Sequence, residues 1–102
     1  GEETTQLNQV YFDTDLFEAI FKGYCVFAGE FLTDADRHYV YDSIRLLAFE
    51  LGLRFFADFV AGDVYFKTRY DGHNLNRAAV QLKLVESIET REKLIRKTIE
   101  AQ

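Results

Sequence analysis

The chain has 102 residues, 48% of them apolar, including ten Phe and six Tyr but no Trp, Met or Pro, and it has room for one domain with one modest core. Seventeen acidic residues against twelve basic ones give a net charge of −5, which argues against general nucleic-acid binding because that needs a basic footprint. The single cysteine, Cys25, cannot form an internal disulfide, which fits a reducing, cytoplasmic setting.

Residues 1–12 read as a flexible or extended lead-in that ends in a short extended run, Val10-Tyr11-Phe12. Its polar opening, Glu-Glu-Thr-Thr-Gln after Gly1, reads as a cut made inside a longer chain. Residues 13–102 read as a single helical subdomain. Asp13 or Thr14 offers an N-cap oxygen for a first helix over about 14–29, where Leu16, Phe17, Ile20, Phe21, Tyr24, Phe27 and Ala28 recur at helical spacing. Gly29 is its expected terminator. Thr33-Asp34-Ala35-Asp36 is a capping-box variant that starts a second helix over 34–61, and Gly62 suits its C-terminal cap. Gly52 inside it marks close helix packing.

An irregular connector, 62–73, contains the turn signal Asp71-Gly72, and Asn74 is expected to cap a third helix over 74–101. Leu75, Ala78, Ala79, Leu82, Val85, Ile88, Ile95 and Ile99 mark its apolar stripe. Its end, from Ser87 to Gln102, is rich in charge and reads as solvated around most of its circumference. The expected fold is therefore all-α, an antiparallel helical bundle fragment of three main helices. No transmembrane span is expected, because the most apolar stretch, Leu46 to Val60, is short and interrupted by Glu50, Arg54 and Asp58.

The second helix is the informative one. A surface helix has one apolar stripe and a broad polar face, whereas here the polar face is narrow. Beyond Arg45 only Glu50, Arg54 and Asp58 carry charge, and with Ser43 they fall within about 80° at helical periodicity. The remaining circumference is Leu, Phe, Val and Ala. Two readings follow. The row is either a self-satisfied Glu-Arg-Asp ladder, or the lining of a ligand cleft in which the carboxylates hold the Arg54 guanidinium in one pose. That planar fork of donors suits phosphates and sugar hydroxyls. Tyr65 and Tyr70 in the connector are candidates for a cleft edge, against ordinary packing.

No metal site is expected from two distant histidines, His38 and His73, and one cysteine. A phosphate-binding glycine loop, a nucleophile elbow and a credible catalytic set are all absent from the sequence, so no residue is assigned a catalytic role.

Val10-Tyr-Phe-Asp-Thr-Asp-Leu-Phe-Glu-Ala19, Phe49-Glu-Leu-Gly-Leu-Arg-Phe-Phe-Ala-Asp58, Gly62-Asp-Val-Tyr-Phe-Lys67, Gly72-His-Asn-Leu-Asn-Arg77 and Leu82-Lys-Leu-Val-Glu-Ser-Ile88 together resemble the C-terminal end of N-acetylhexosamine 1-kinase-like proteins. These belong to the aminoglycoside phosphotransferase superfamily, with its protein-kinase-like fold. The resemblance implies a transferase of carbohydrate metabolism that moves the ATP γ-phosphate to a free N-acetylhexosamine with Mg²⁺. It also implies that the nucleotide-binding lobe, the catalytic-loop Asp and the metal-binding Asp lie before this segment, since their motifs do not occur here. The segment itself then needs no cofactor, is inactive alone and forms one wall of the sugar pocket. By resemblance, Arg54 and Tyr65 match the Arg and Tyr that contact the sugar. Glu50 and Asp58 are expected to orient Arg54. The implied partners are the remainder of the kinase chain and the sugar. The alternative is a stand-alone helical interaction or dimerisation module. In either case the aromatic surplus is expected to meet something outside the segment, and self-association is the corollary.

Overall fold

Helix boundaries follow the capping chemistry. In the computed structural model, which describes residues 6–102, Asp13 accepts the Leu16 amide through its side chain and opens α1, Thr14–Ala28. Gly29 closes α1, and a 3-10 turn, Gly29–Phe31, leads on. Thr33 and Asp36 exchange reciprocal bonds, the Asp36 amide to Thr33 Oγ1 and the Thr33 amide to Asp36 Oδ2, both 3.0 Å. That capping box opens α2, Asp34–Ala61. Gly62, at φ 98°, ends it in the left-handed conformation that glycine adopts without a Cβ penalty. In the turn between α1 and α2, the Arg37 guanidinium donates to the Leu32 carbonyl at 2.6 Å and the Gly29 carbonyl at 3.1 Å.

The expected third helix is two. α3 spans His73–Thr90 and α4 spans Glu92–Glu100, separated at Arg91, whose φ of −110° and ψ of 15° leave helical geometry. The reason lies in Ser87. Its hydroxyl accepts the Phe12 amide at 2.8 Å and Arg91 Nη1 at 2.7 Å, so it ties the end of the lead-in to the break. Thr90 Oγ1 donates to the Ser87 carbonyl at 2.8 Å, drawing off one acceptor near the helix end. The start of α3 also differs from expectation. Gly72, at φ 83°, occupies the cap position, and Asn74 lies within the first turn with its side chain committed elsewhere.

All described residues are thus in helices, turns or loops, and no strand is present among them. The dominant interface is the antiparallel packing of α2 on α3, with α4 touching both α1 and α2. The core gathers Phe21 of α1, Tyr41 and Ala48 of α2, Val85 and Ile88 of α3, and Ile95 and Ile99 of α4. Phe12, Phe17, Cys25, Val40, Ile44 and Leu84 pack around it, so Cys25 serves as partly buried filler. Residues 7–9 of the lead-in form a 3-10 turn and Val10 is buried, whereas residues 1–5 of that expected segment lie outside the described residues. No helix among the described residues is long and apolar enough to cross a membrane.

At Gly52, α2 packs tightly against α3. A Cβ there would meet Gln81 Cβ at 3.2 Å and Leu82 Cδ2 at 3.4 Å. Gly52→Val is therefore expected to destabilise the chain by about 1–3 kcal/mol despite removing a helix-interior glycine. Urea denaturation checks this, and an unchanged midpoint would mean that the α2–α3 contact is looser than described.

Candidate functional site

The site forms where α2 ends. Gly62 and Asp63 are both left-handed, at φ 98° and 61°, a conformation that Gly takes freely and Asp tolerates. Two such residues in succession turn the chain back on α2. The Asp63 amide bonds to the Asp58 carbonyl at 2.8 Å. The amides of Val64, Tyr65 and Phe66 then converge on the Asp58 carboxylate, the first two on Oδ1 at 3.0 and 2.7 Å and the third on Oδ2 at 2.9 Å.

Asn74 closes the knot from α3. Its Nδ2 donates to Asp58 Oδ2 at 2.8 Å and to Asp63 Oδ1 at 3.0 Å, while its Oδ1 accepts from Arg77 Nη1 at 3.0 Å. The same Arg77 nitrogen donates to the Lys67 carbonyl at 3.0 Å, and the guanidinium lies 5.5 Å from the centre of the Phe55 ring. Phe66 packs on Phe55 with ring centres 4.7 Å apart. His73, fully buried, accepts the Arg69 amide on Nδ1 at 3.1 Å and stacks on Tyr70 at 4.5 Å. The buried polar side chains of the knot, Asp58, His73 and Asn74, are thereby each given hydrogen-bond partners, as burial demands.

Two opposing effects act on Asp58. Burial pushes its carboxyl pKa up, and the amides of Phe66, Tyr65 and Val64 with the Asn74 side chain outweigh that push, leaving it below the ordinary value of 3.8. The group is a fixed anion that organises backbone.

Beside this knot lie Arg54 and Tyr65. Together with Ala57, Asp58, Ala61 and Phe66 they line an open concavity of about 440 Å³. A second hollow, lined by Leu47, Glu50, Leu51 and Arg54, continues along α2, so the Arg54 side chain borders both. Arg54 Nη2 pairs with Glu50 Oε1 at 3.1 Å, and both side chains remain more than half exposed. An exposed pair of this kind adds little to stability, and its guanidinium keeps donors available to solvent. Tyr65 is exposed, with its ring edge against Phe66 at 5.0 Å.

The structure thus brings Arg54, Tyr65, Glu50 and Asp58 to one side of α2, with an altered division of labour. Glu50 is the partner of Arg54. Asp58, expected to orient Arg54 as well, turns its carboxylate to the connector and orients the backbone of Tyr65. Ser43 stands apart, its hydroxyl donating to the Tyr39 carbonyl at 2.9 Å. Tyr70 serves the His73 stack. The sequence reading missed Asn74 and His73 as members of the knot. A usable signal was present, since an Asn and a His immediately after a Gly turn are better suited to binding backbone and carboxylate than to a helix interior.

Among the described residues, no group of three or more His, Cys, Asp or Glu side chains is gathered to hold a metal ion. No model of a known protein family matches the chain.

Proposed function

We propose that this chain is the C-terminal helical part of a sugar kinase-like phosphotransferase of the cytoplasm, forming one wall of its sugar pocket and inactive by itself. The larger protein would phosphorylate an N-acetylhexosamine from ATP and Mg²⁺, with the catalytic base and nucleotide-binding residues supplied by the preceding chain. The observation that carries this reading is that Arg54 of α2 and Tyr65 of the connector line the same concavity. A guanidinium and a phenol side by side offer directional donors to sugar hydroxyl and carbonyl oxygens.

Two of the five segments that carry the sequence resemblance, 62–67 and 72–77, are hydrogen-bonded to each other in one knot with Asp58, through Asp63, Lys67, Asn74 and Arg77. Their co-occurrence has a physical reason, because either alone would leave buried polar groups unpaired. The knot fixes the backbone from which Tyr65 projects, which is what a pocket wall requires.

In the longer protein, Arg54→Ala is expected to lower kcat/KM for the sugar by roughly 10- to 100-fold, the loss of one charge-assisted hydrogen bond. The KM for ATP should stay unchanged. Steady-state kinetics with each substrate varied in turn measures both, and unchanged sugar kinetics would remove Arg54 from the site.

The second reading, an interaction module, is favoured by a separate feature, the exposed apolar side of α2. The reading frame upstream of Gly1 discriminates. A nucleotide-binding lobe and catalytic loop there support the kinase, and a start codon near residue 1 supports the module.

A further inference from the structure

The connector is anchored at both ends, by groups of different chemistry. Beside α2 the anchor is the Asp58 carboxylate, which holds the amides of Val64, Tyr65 and Phe66. Beside α3 it is an imidazole. His73, fully buried, accepts the Arg69 amide on Nδ1 at 3.1 Å. Its own amide donates to the Tyr70 carbonyl at 3.2 Å, so one residue closes the turn 69–73 with both its side chain and its backbone.

A ring nitrogen that accepts a backbone N–H carries no proton itself, which requires the neutral imidazole with its proton on Nε2. Protonation sets one N–H against another. The Arg69 donor belongs to the backbone, so the bond must open.

The surroundings also disfavour a cation at this position. His73 is the first residue of α3, at the positive end of the helix dipole. Arg77, one turn on along the same face, adds a like charge. The nearby carboxylates are already engaged, Asp58 of α2 with three amides and Asn74, and Asp63 of the connector with Asn74. Within the turn, Arg69 and Asp71 are exposed, and Tyr70 presents its ring face to the imidazole at 4.5 Å.

We propose that His73 is an acid-sensitive latch, closing the 69–73 turn while neutral and releasing it on taking up a proton between about pH 7 and pH 5. Asp58 keeps its charge throughout that range, its pKa lying below the ordinary 3.8, so residues 64–66 stay anchored while 69–73 open. The latch stands apart from the sugar-pocket reading, since its opening is read without any ligand.

The opened imidazole, like any solvated histidine, takes up its proton at about pH 6.5. Closure is therefore complete above the histidine range and is lost as pH falls through it. Amide exchange of the 102-residue chain, corrected at each pH for the intrinsic rate, is expected to show protection at Arg69 falling by about 10-fold or more from pH 7 to pH 5. Protection at Val64, Tyr65 and Phe66 should not change. His73→Asn puts an oxygen acceptor where Nδ1 stands and cannot titrate, so its Arg69 protection should be constant. His38→Gln removes the other of the two histidines and should keep the wild-type fall. Constant Arg69 protection in the wild type would overturn the proposal, as would a fall that persists in His73→Asn or vanishes in His38→Gln. Should His73→Asn not fold, the imidazole ¹⁵N shifts of the wild type decide. Nδ1 unprotonated at pH 7, gaining its proton as Arg69 protection is lost, is the expected result, and a protonated Nδ1 beside a protected Arg69 amide would overturn it.

Discussion

Asp58→Ala is expected to release the connector while leaving most of α2 and α3 in place. Three consecutive amides and the Asn74 side chain lose their common acceptor, and a small apolar group replaces it. Hydrogen bonds to a charged acceptor are stronger than neutral ones, and donors left unpaired away from water carry a desolvation penalty. Amide hydrogen exchange at Val64, Tyr65 and Phe66 should accelerate by at least about 30-fold, since local opening no longer breaks a shared anchor. The thermal midpoint should fall by roughly 10 °C. Unaltered exchange at these three amides would show that the turn at Gly62 and Asp63 holds the connector without the carboxylate.

The same residue gives a pH dependence with a defined sign. The folded pKa of Asp58 lies below the ordinary 3.8. Its contribution is therefore complete above the unfolded value and is lost as pH falls through the folded value, because the unfolded carboxyl takes up a proton at a higher pH than the folded one. Stability measured from pH 6 downward should carry this loss below 3.8 in the wild type. Asp58→Asn, which cannot ionise, should lack that component, and identical acid limbs for the two proteins would contradict the assignment.

Ile88→Ala carries the largest expected loss of packing. Ile88 is fully buried in α3 just before the break at Arg91, in one cluster with Tyr41 and Ala48 of α2 and Ile95 and Ile99 of α4. Truncation removes three carbons at the junction of three helices whose backbones are fixed by other contacts, so the site cannot collapse fully. A loss of about 3–5 kcal/mol is expected, a large share of the roughly 5–15 kcal/mol that stabilises a domain. Urea titration followed by circular dichroism reads it directly. A loss under about 1 kcal/mol would mean that the core has another centre.

The limits of α2 were legible because each is written in local chemistry, a Thr33-Asp36 capping box at one end and a left-handed Gly62 at the other. The break at Arg91 was not. Ile88, Ile95 and Ile99 keep helical spacing straight through it, and the causes, Phe12 and Ser87, are far apart in the chain. Asn74 looked like a cap because Asn caps helices, but Gly72 takes the cap position and frees its amide for Asp58. Asp58 itself, one turn from Arg54, invited an ion-pair reading. A preference for three backbone amides over one exposed guanidinium depends on a chain reversal that periodicity does not reveal. For α2 as a whole, apolarity on nearly every side was visible, but not which side packs. Tyr41, Ala48 and Phe55 face inward, while Leu46, Leu53 and Val60 remain uncovered.

The proposed sugar wall of Arg54 and Tyr65 would serve phosphoryl transfer only if a phosphoryl donor can be brought to a sugar held there. The decisive measurement is a phosphotransfer assay on the protein expressed from its full reading frame, with N-acetylhexosamines and labelled ATP in the presence of Mg²⁺. Label transferred to the sugar, reduced by roughly 10- to 100-fold in the Arg54→Ala protein at low sugar concentration and absent from the 102-residue chain alone, is the expected result. A full-length protein that binds Mg²⁺-ATP yet transfers nothing to any N-acetylhexosamine, with or without Arg54, would contradict it.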